Sequence, residues 1–152
     1  MKVVILLIIV VIMFLSPGIW LEMYENNNVL GKGNMNYGIS MMTNKISYSV
    51  GETIMVTLKI FNYTEEEIIF HFNTSQRYDF IIEDEEGSKI WHWSQDMMFT
   101  MALGEETLGP TNTEVIYTAE YKGKLSPGYY KVTGFFVAQD RPMSGNVIII
   151  VK

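Results

Sequence analysis

Residues 76–94 have the sequence QRYDFIIEDEEGSKIWHWS, which decides the fold class. Polar and apolar side chains alternate over residues 76–84, an acidic segment with one glycine follows at 85–89, and an aromatic run occupies 90–94. Alternation with a period of two is typical of a strand that buries one face, and two such runs around a short turn predict a β-hairpin. The aromatic rings supply the apolar area of a core.

Short strand-like runs bounded by turn residues continue on both sides of this hairpin. They lie at 39–47, 53–62, 67–73, 98–103, 113–121, 129–137 and 147–151. We therefore predict an all-β fold, an immunoglobulin-like antiparallel β-sandwich of about eight strands. The run 67–73 is partly apolar on both faces, which predicts a central strand.

The N-terminus has a different character. Lys2 precedes an unbroken apolar run from Val3 to Leu15, and Ser16-Pro17-Gly18 then ends any helix. This order predicts a secretory signal peptide or, if Ile19-Trp20-Leu21 extends the run to about 20 residues, a membrane-anchor helix. Lys2 on one side and acidic residues on the other predict that the rest of the chain lies outside the cytoplasm, either secreted or anchored to the cell membrane.

Three segments follow from these patterns in the chain of 152 residues. Residues 1–21 form the signal peptide or transmembrane anchor, and residues 22–38, rich in asparagine and glycine, form a linker. Residues 39–152 form one β-sandwich domain, since the length suits a single domain with a short appendage.

Composition excludes several classes of function. The formal net charge is −6, and binding of nucleic acid depends on clustered basic side chains, so we expect no nucleic-acid partner. The absence of cysteine excludes disulfides, thiol nucleophiles and thiolate metal sites. No phosphate-binding loop or dinucleotide fingerprint is present, so we expect no cofactor.

Histidine chemistry rests on His71 and His92 alone. Ser94 follows His92 by two residues on the same strand, a separation that we expect to be too long for an unaided hydrogen bond, and no G-x-S-x-G motif exposes a serine. We therefore expect no catalytic residues and no enzymatic activity. A metal site from His71, His92 and Asp79 would require three strands to meet, and nothing in their spacing forces this, so we expect no metal.

Aromatic side chains also suggest a surface that stacks on sugars. The candidates are Trp91, Trp93, Tyr129 and Tyr130. Rings on alternating strands more often belong to a core, which is the interpretation that we favour. Asn62-Tyr63-Thr64 and Asn73-Thr74-Ser75 fit the N-glycosylation pattern, although asparagine near strand ends usually stabilises turns.

Loops remain as candidate binding elements, because sandwiches carry function at the ends of their sheets. One candidate is residues 94–98. The other is the connection 138–146, which is long for a hairpin and contains a proline. The hypothetical protein-binding residues in this second loop are Asp140, Arg141, Pro142, Met143 and Ser144.

The amino-acid sequence of the central region resembles that of a known family. The run Phe72 to Phe80, which contains Tyr-Asp-Phe, together with Ile90 to Ser94 and Met97 to Thr100, is similar to the domain of BsuPI, the Bacillus intracellular proteinase inhibitor. The similarity extends from about Tyr48 to the C-terminus. It implies inhibition of subtilisin-type serine proteinases, although the type inhibitor is intracellular and this chain carries an export signal.

Two functions therefore stay open. The first is a proteinase inhibitor-like protein-binding module whose partner is a subtilisin-type serine proteinase or another extracytoplasmic protein. The second is an exported, non-inhibitory immunoglobulin-like module on the cell surface that binds protein or glycan.

Overall fold

The computed structural model describes residues 37–152. The predicted signal or anchor helix at 1–21 and nearly all of the predicted linker at 22–38 lie outside the described residues. Within the described part no helix is long and apolar enough to cross a membrane. Every regular element there is a strand, which confirms the prediction of an all-β fold.

Ten strands are present in residues 37–152, against about eight predicted. They are β1 (Tyr37–Thr43), β2 (Ser47–Tyr48), β3 (Ile54–Asn62), β4 (Ile68–Phe72), β5 (Tyr78–Glu83), β6 (Lys89–His92), β7 (Gly104–Leu108), β8 (Thr113–Tyr121), β9 (Gly128–Phe136) and β10 (Met143–Val151).

The strands form two main sheets and a small third one. The orders are β1-β3-β8 in the first sheet, β2-β10-β9-β5-β6 in the second and β4-β7 in the third. All pairings are antiparallel except that of β2 with β10, which is parallel over two residue pairs and departs from the antiparallel prediction.

The core lies between the first two sheets. Strand β3 contributes Ile54, Val56, Leu58 and Ile60, each no more than 1% exposed, as its alternating sequence predicts. Strand β9 faces it through Gly134, where an added Cβ would lie 2.7 Å from Leu58 Cδ1 and 2.8 Å from Met41 Sδ. Glycine at this position therefore allows the two sheets to approach closely.

The third sheet covers one side of this core. Phe70 and Phe72 of β4 meet Phe136 of β9 edge to face, with ring centroids 5.0 and 5.3 Å apart. The prediction that residues 67–73 form a central strand is wrong. Within residues 37–152 strand β4 pairs with β7 alone, and Ile69 and His71 on its outer face are exposed.

Asn62 joins the third sheet to the first. Its side chain is fully buried, and its amide nitrogen donates to the carbonyl oxygens of Glu66 (2.8 Å), Gly109 (2.9 Å) and Leu108 (3.3 Å). Its amide oxygen accepts hydrogen bonds from the backbone N–H and the hydroxyl of Thr64. Asn62 therefore stabilises a turn, and its amide is not accessible for glycosylation in the folded domain.

The hairpin that decides the fold class is confirmed. Strands β5 and β6 pair with Ile82 opposite Trp91 and Ile81 opposite His92. The backbone N–H of Trp93 donates to Phe80 O at 2.9 Å, which continues the pairing one residue past the end of β6.

Two boundaries differ from the predictions in ways that affect the loops. The predicted strand at 98–103 is wrong, since these residues pair with no strand in the described part of the chain and the actual strand, β7, starts at Gly104. The loop predicted at 138–146 is shorter, because β10 already begins at Met143, opposite Phe136 of β9.

Candidate functional site

Three loops meet at one end of the domain, which we call the loop end. They are residues 73–77 between β4 and β5, residues 93–103 between β6 and β7, and residues 137–142 between β9 and β10. The N–H of Val137 donates to Arg77 O at 3.0 Å, and the N–H of Ser75 donates to Thr100 O at 3.0 Å. Backbone hydrogen bonds therefore connect the first loop to each of the other two.

The loop 93–103 is fixed at its start by the carboxylate of Asp79. One oxygen, Oδ2, accepts a hydrogen bond from Ser94 Oγ at 2.6 Å and lies 2.8 Å from His92 Nε2. The other, Oδ1, accepts hydrogen bonds from the N–H groups of Phe80 (2.8 Å) and Ser94 (3.2 Å). The nearly buried carboxylate of β5 is thus satisfied, and it holds the residues that leave β6.

This network brings together residues that we had expected to stay apart. Ser94 Oγ lies 3.2 Å from His92 Nε2, so the prediction of a separation too long for a hydrogen bond is wrong. The chain turns at 93–96 rather than continuing as a flat strand, and the turn shortens the distance. Ser94 nevertheless donates to Asp79, and His92 presents the same nitrogen to Asp79 and to Ser94. A catalytic triad instead binds its carboxylate to the other imidazole nitrogen.

The three candidate metal ligands do not converge. Asp79 and His92 are adjacent, whereas His71 lies on β4 with its Nδ1 3.3 Å from Glu105 Oε1. Residues 37–152 contain no group of three histidine, aspartate or glutamate side chains arranged to hold a metal ion.

The middle of the loop 93–103 is held by Ser75. The N–H of Thr100 donates to Ser75 Oγ at 3.0 Å, and Thr100 O accepts from the N–H of Ser75. The preceding side chain, Phe99, packs against the Trp93 ring with centroids 6.2 Å apart. Both main-chain groups of Thr100 are therefore occupied by the neighbouring loop.

The end of this loop is supported by Arg77. Its Nη1 donates to Thr74 O at 2.8 Å, its guanidinium carbon lies 4.2 Å from the centre of the Phe72 ring, and its Nε lies 3.6 Å from Glu106 Oε2. An added Cβ on Gly104, the first residue of β7, would lie 2.5 Å from Arg77 Nη2. Arg77 thus organises the first loop and packs against the point where the second loop ends.

Tyr117 completes this arrangement from β8. Its hydroxyl donates to Glu106 Oε2 at 2.5 Å. Burial is the main reason that the pKa of Tyr117 is raised far above its ordinary value, and the hydrogen bond to Glu106 raises this pKa further. The phenol therefore remains a donor at every physiological pH.

The loop between β9 and β10 is held against β4. Its Gln139 N–H donates to His71 O at 2.7 Å, and Asp140 Oδ1 accepts from the N–H of His71 at 3.0 Å. This backbone hydrogen bond lowers the pKa of Asp140 below its ordinary value. The loop is therefore anchored through both its backbone and its acidic side chain.

The predicted protein-binding residues occupy two kinds of structure. Asp140, Arg141 and Pro142 lie in this loop and are exposed, with Arg141 Nε 3.8 Å from Asp140 Oδ2. Met143 and Ser144 lie in β10, so they do not belong to the loop as predicted.

The most unusual surface at the loop end is apolar. Met98 is 100% exposed, Met101 88% and Leu103 85%. Met98 was predicted to lie in a candidate binding loop, but residues 98–103 were predicted as a strand, and Met101 and Leu103 were not predicted as surface residues. No local pattern marks these side chains as exposed, because methionine and leucine are usually buried.

A shallow groove of about 570 Å³ joins this apolar surface to the loop between β9 and β10. Its lining residues are His71, Phe72, Leu103, Gly104, Glu105 and Gln139.

The aromatic candidates for sugar binding do not form one platform. Trp93 stacks on Tyr78 with centroids 4.4 Å apart, Trp91 lies 5.5 Å from Tyr121, and both indoles pack against the core. Tyr130 is buried and donates its hydroxyl hydrogen to Ser126 O. The preferred interpretation, that these rings belong to or border the core, is confirmed for all but the exposed Tyr129.

Comparisons with known proteins agree with the resemblance in the central region. A family model described as BsuPI, intracellular proteinase inhibitor, matches residues 41–141. No curated protein sequence matches the chain.

Solved structures also resemble the domain. Spo0M, a sporulation control protein from Bacillus subtilis, aligns with a TM-score of 0.50 and 13% identity over 77% of this chain and 49% of Spo0M. A CARDB domain from Pyrococcus furiosus, solved in complex with di-metal ions, aligns with a TM-score of 0.47 and 10% identity over 76% of this chain and 87% of that domain. The chain thus spans about half the length of Spo0M, and at this identity the likeness to Spo0M concerns the fold alone.

Proposed function

The chain belongs to the BsuPI family of intracellular proteinase inhibitors, and we therefore propose that it is a non-enzymatic protein that binds and inhibits a proteinase. The family match over residues 41–141 carries this proposal, since it includes the hairpin, the first two loops of the loop end and all of the third loop except Pro142.

The order of the loop end supports an inhibitory role. An inhibitor gains affinity when its binding segment is already held in the bound conformation, because less conformational entropy is lost on association. Ser94 is held by Asp79, Thr100 by Ser75, and the backbone of His71 by Gln139 and Asp140. These contacts join the loops to the sheets, as expected for an immunoglobulin-like sandwich that presents binding loops on a rigid scaffold.

We propose a subtilisin-type serine proteinase as the target. This choice rests on the resemblance of the Tyr78-Asp79-Phe80 and Trp91 to Ser94 motifs to the family, which implies that class of enzyme. Proteinases of other classes are the alternative targets to be compared with it.

We propose further that the domain acts outside the cytoplasm, either secreted or held at the membrane. The support is the order of Lys2, the apolar run Val3 to Leu15 and the small residues that follow. The proteinase partner would then be an extracytoplasmic enzyme.

Within the loop end, Asp140, Arg141 and Pro142 form one proposed contact, with Met143 and Ser144 at its strand border. Arg141 projects from an anchored loop, a geometry that suits recognition by a partner. Among residues 37–152, one carboxylate forms an ion pair with its guanidinium, that of Asp140, with Nε 3.8 Å from Oδ2.

The test is a titration of the purified full-length chain, kept soluble with a mild detergent, against a subtilisin-type proteinase. We expect residual activity to fall to an equivalence point near one inhibitor per enzyme. Mass spectrometry of the mixture provides the control, because a chain that merely competes as a substrate would be cut into fragments as activity recovered. Full activity at a tenfold excess of intact chain would rule out inhibition of this class, and the same titration with a metalloproteinase and a cysteine proteinase would examine the other classes.

A further inference from the structure

Residues 97–103, which we call the apolar segment, expose an unusual amount of hydrophobic surface. The sequence is Met-Met-Phe-Thr-Met-Ala-Leu and contains no charged side chain. Met98, Met101 and Leu103 are 85–100% exposed, whereas a folded domain normally buries such side chains. Apolar side chains grouped at one end of a domain indicate an interaction surface.

The scaffold orders this segment although it has no regular secondary structure. Asp79 holds Ser94 before it, Ser75 holds Thr100 within it, and β7 begins directly after it at Gly104. The side chain of Phe99 turns inward onto Trp93. The backbone is therefore fixed while the neighbouring methionine side chains point away from the domain.

Main-chain groups on both sides of Thr100 are free to pair with another molecule. Within residues 37–152 the backbone N–H and C=O groups of Met98 and Met101 make no hydrogen bond, whereas those of Thr100 are both bonded to Ser75. A segment outside regular secondary structure, with free main-chain groups and projecting side chains, can pair with the edge of a binding cleft as an added strand.

We propose that the apolar segment is the part of the inhibitor that enters the substrate cleft of its target, with Met98 filling an apolar specificity pocket. This inference rests on the proposed function. The target is accordingly an endoproteinase that accepts a long apolar side chain, and Met98 suits such a pocket because its unbranched thioether adapts to the shape of the cavity.

The loop between β9 and β10 has a secondary role in this arrangement. Leu103 of the apolar segment and Gln139 of that loop line the same groove, so a proteinase seated on the apolar segment would also reach the loop that carries Arg141. The apolar segment determines which pocket is filled, and the second loop adds contacts at the border.

Two aspartate variants test this assignment in the full-length chain. Met98→Asp and Met101→Asp place a charge where an apolar pocket must exclude water, and we expect Met98→Asp to raise the Ki for a subtilisin-type proteinase by roughly 30-fold or more. Ile46→Asp is the matched control, because Ile46 is 69% exposed and lies beside Ile150, at the far end of β10 from the loop end. Its Ki should stay within about twofold of the unmodified chain. Near-ultraviolet circular dichroism of each variant verifies that the domain is folded.

Methionine oxidation supplies a second measurement that does not depend on substitution. The chain is treated with hydrogen peroxide alone and with an excess of proteinase whose catalytic serine has been blocked, and oxidation of each methionine is followed by mass spectrometry. We expect protection of Met98 and Met101 in the complex, with Met42 and Met55, 43% and 41% exposed on β1 and β3, unchanged as internal references.

The outcomes separate this inference from the function on which it rests. Failure of the unmodified chain to inhibit would overturn the proposed function and this inference with it. Inhibition that is unchanged in Met98→Asp, or Met98 oxidised equally with and without the blocked proteinase, would overturn the inference alone. Protection of Met98 without any proteinase would indicate a contact between copies of the chain and would also overturn it.

Discussion

Ser94 Oγ donates a 2.6 Å hydrogen bond to Asp79 Oδ2, and this contact joins the two motifs that carry the resemblance to the family. Asp79 is the middle residue of Tyr-Asp-Phe, and Ser94 is the last residue of Trp-x-Trp-Ser. In this network the two motif residues therefore have a structural role. They hold the start of the loop 93–103.

Replacement of Ser94 by alanine should destabilise the domain by about 2 kcal/mol, since it removes a hydrogen bond to a carboxylate in a partly buried site. Asp79→Ala should cost about 3 kcal/mol or more, because several donors lose their acceptor together. Urea denaturation measures both. Ser126→Ala is the control, since Ser126 is exposed and, within residues 37–152, its carbonyl oxygen rather than its side chain accepts a hydrogen bond. Equal stability of Ser94→Ala and Ser126→Ala would contradict the importance of the network.

Asn62→Ala should destabilise the domain by about 3 kcal/mol, because it leaves the buried carbonyl oxygen of Leu108 and the partly buried one of Gly109 without their side-chain donor. Thermal unfolding of the variant is the measurement. Asn73→Ala provides a comparison, since Asn73 is exposed and occupies the other asparagine of the N-glycosylation pattern. A similar melting temperature for both variants would mean that Asn62 does not join the sheets as described.

Ser75→Ala should loosen the apolar segment with little effect on the rest of the fold. Loss of the hydrogen bond from Thr100 N–H costs about 1 kcal/mol, and we expect a roughly fivefold increase in Ki if the order of the segment contributes to inhibition. Hydrogen exchange of peptides that cover residues 97–103 should become faster. Ser88→Ala, an exposed serine in the hairpin turn, should leave both measurements unchanged.

The hydrogen bond that anchors the loop between β9 and β10 should be lost at acid pH. The backbone N–H of His71 lowers the pKa of Asp140, whose reference value is 3.8, so the contact is fully formed above that pH and is lost as the pH falls through the lower folded value. The amide chemical shift of His71 in NMR spectra should therefore change with a midpoint below pH 3.8. In Asp140→Asn this transition should disappear, and its persistence there would assign it to another group.

Local sequence patterns were sufficient for the hairpin and for the strands that build the core. In β3 every second residue from Ile54 to Ile60 is a branched apolar residue, and these residues are the buried ones. In β8 burial also alternates along the strand. These strands could be predicted because every second residue is apolar and every second residue faces the core.

Local sequence patterns did not predict the elements whose structure depends on a neighbouring strand. Strand β7 has the sequence Gly-Glu-Glu-Thr-Leu, which has the composition of a loop, and it becomes a strand only because β4 lies beside it. The apolar character of 98–103 suggested a strand, but no strand among residues 37–152 lies beside it to pair with. The Asp79 network could not be predicted either, since it depends on the turn after His92 that brings Ser94 back to β5.

The residues that tether the apolar segment to the scaffold lie on separate parts of the chain. They are Ser75, Asp79 and Gly104. A linear synthetic peptide with the sequence of residues 97–103 would carry the same side chains and none of these tethers. It would have to fix its backbone on binding, at about 1–2 kcal/mol per residue. A useful mimic of this surface would therefore be a macrocycle closed between the positions of Ser94 and Gly104, in which a covalent bridge replaces the β-sandwich.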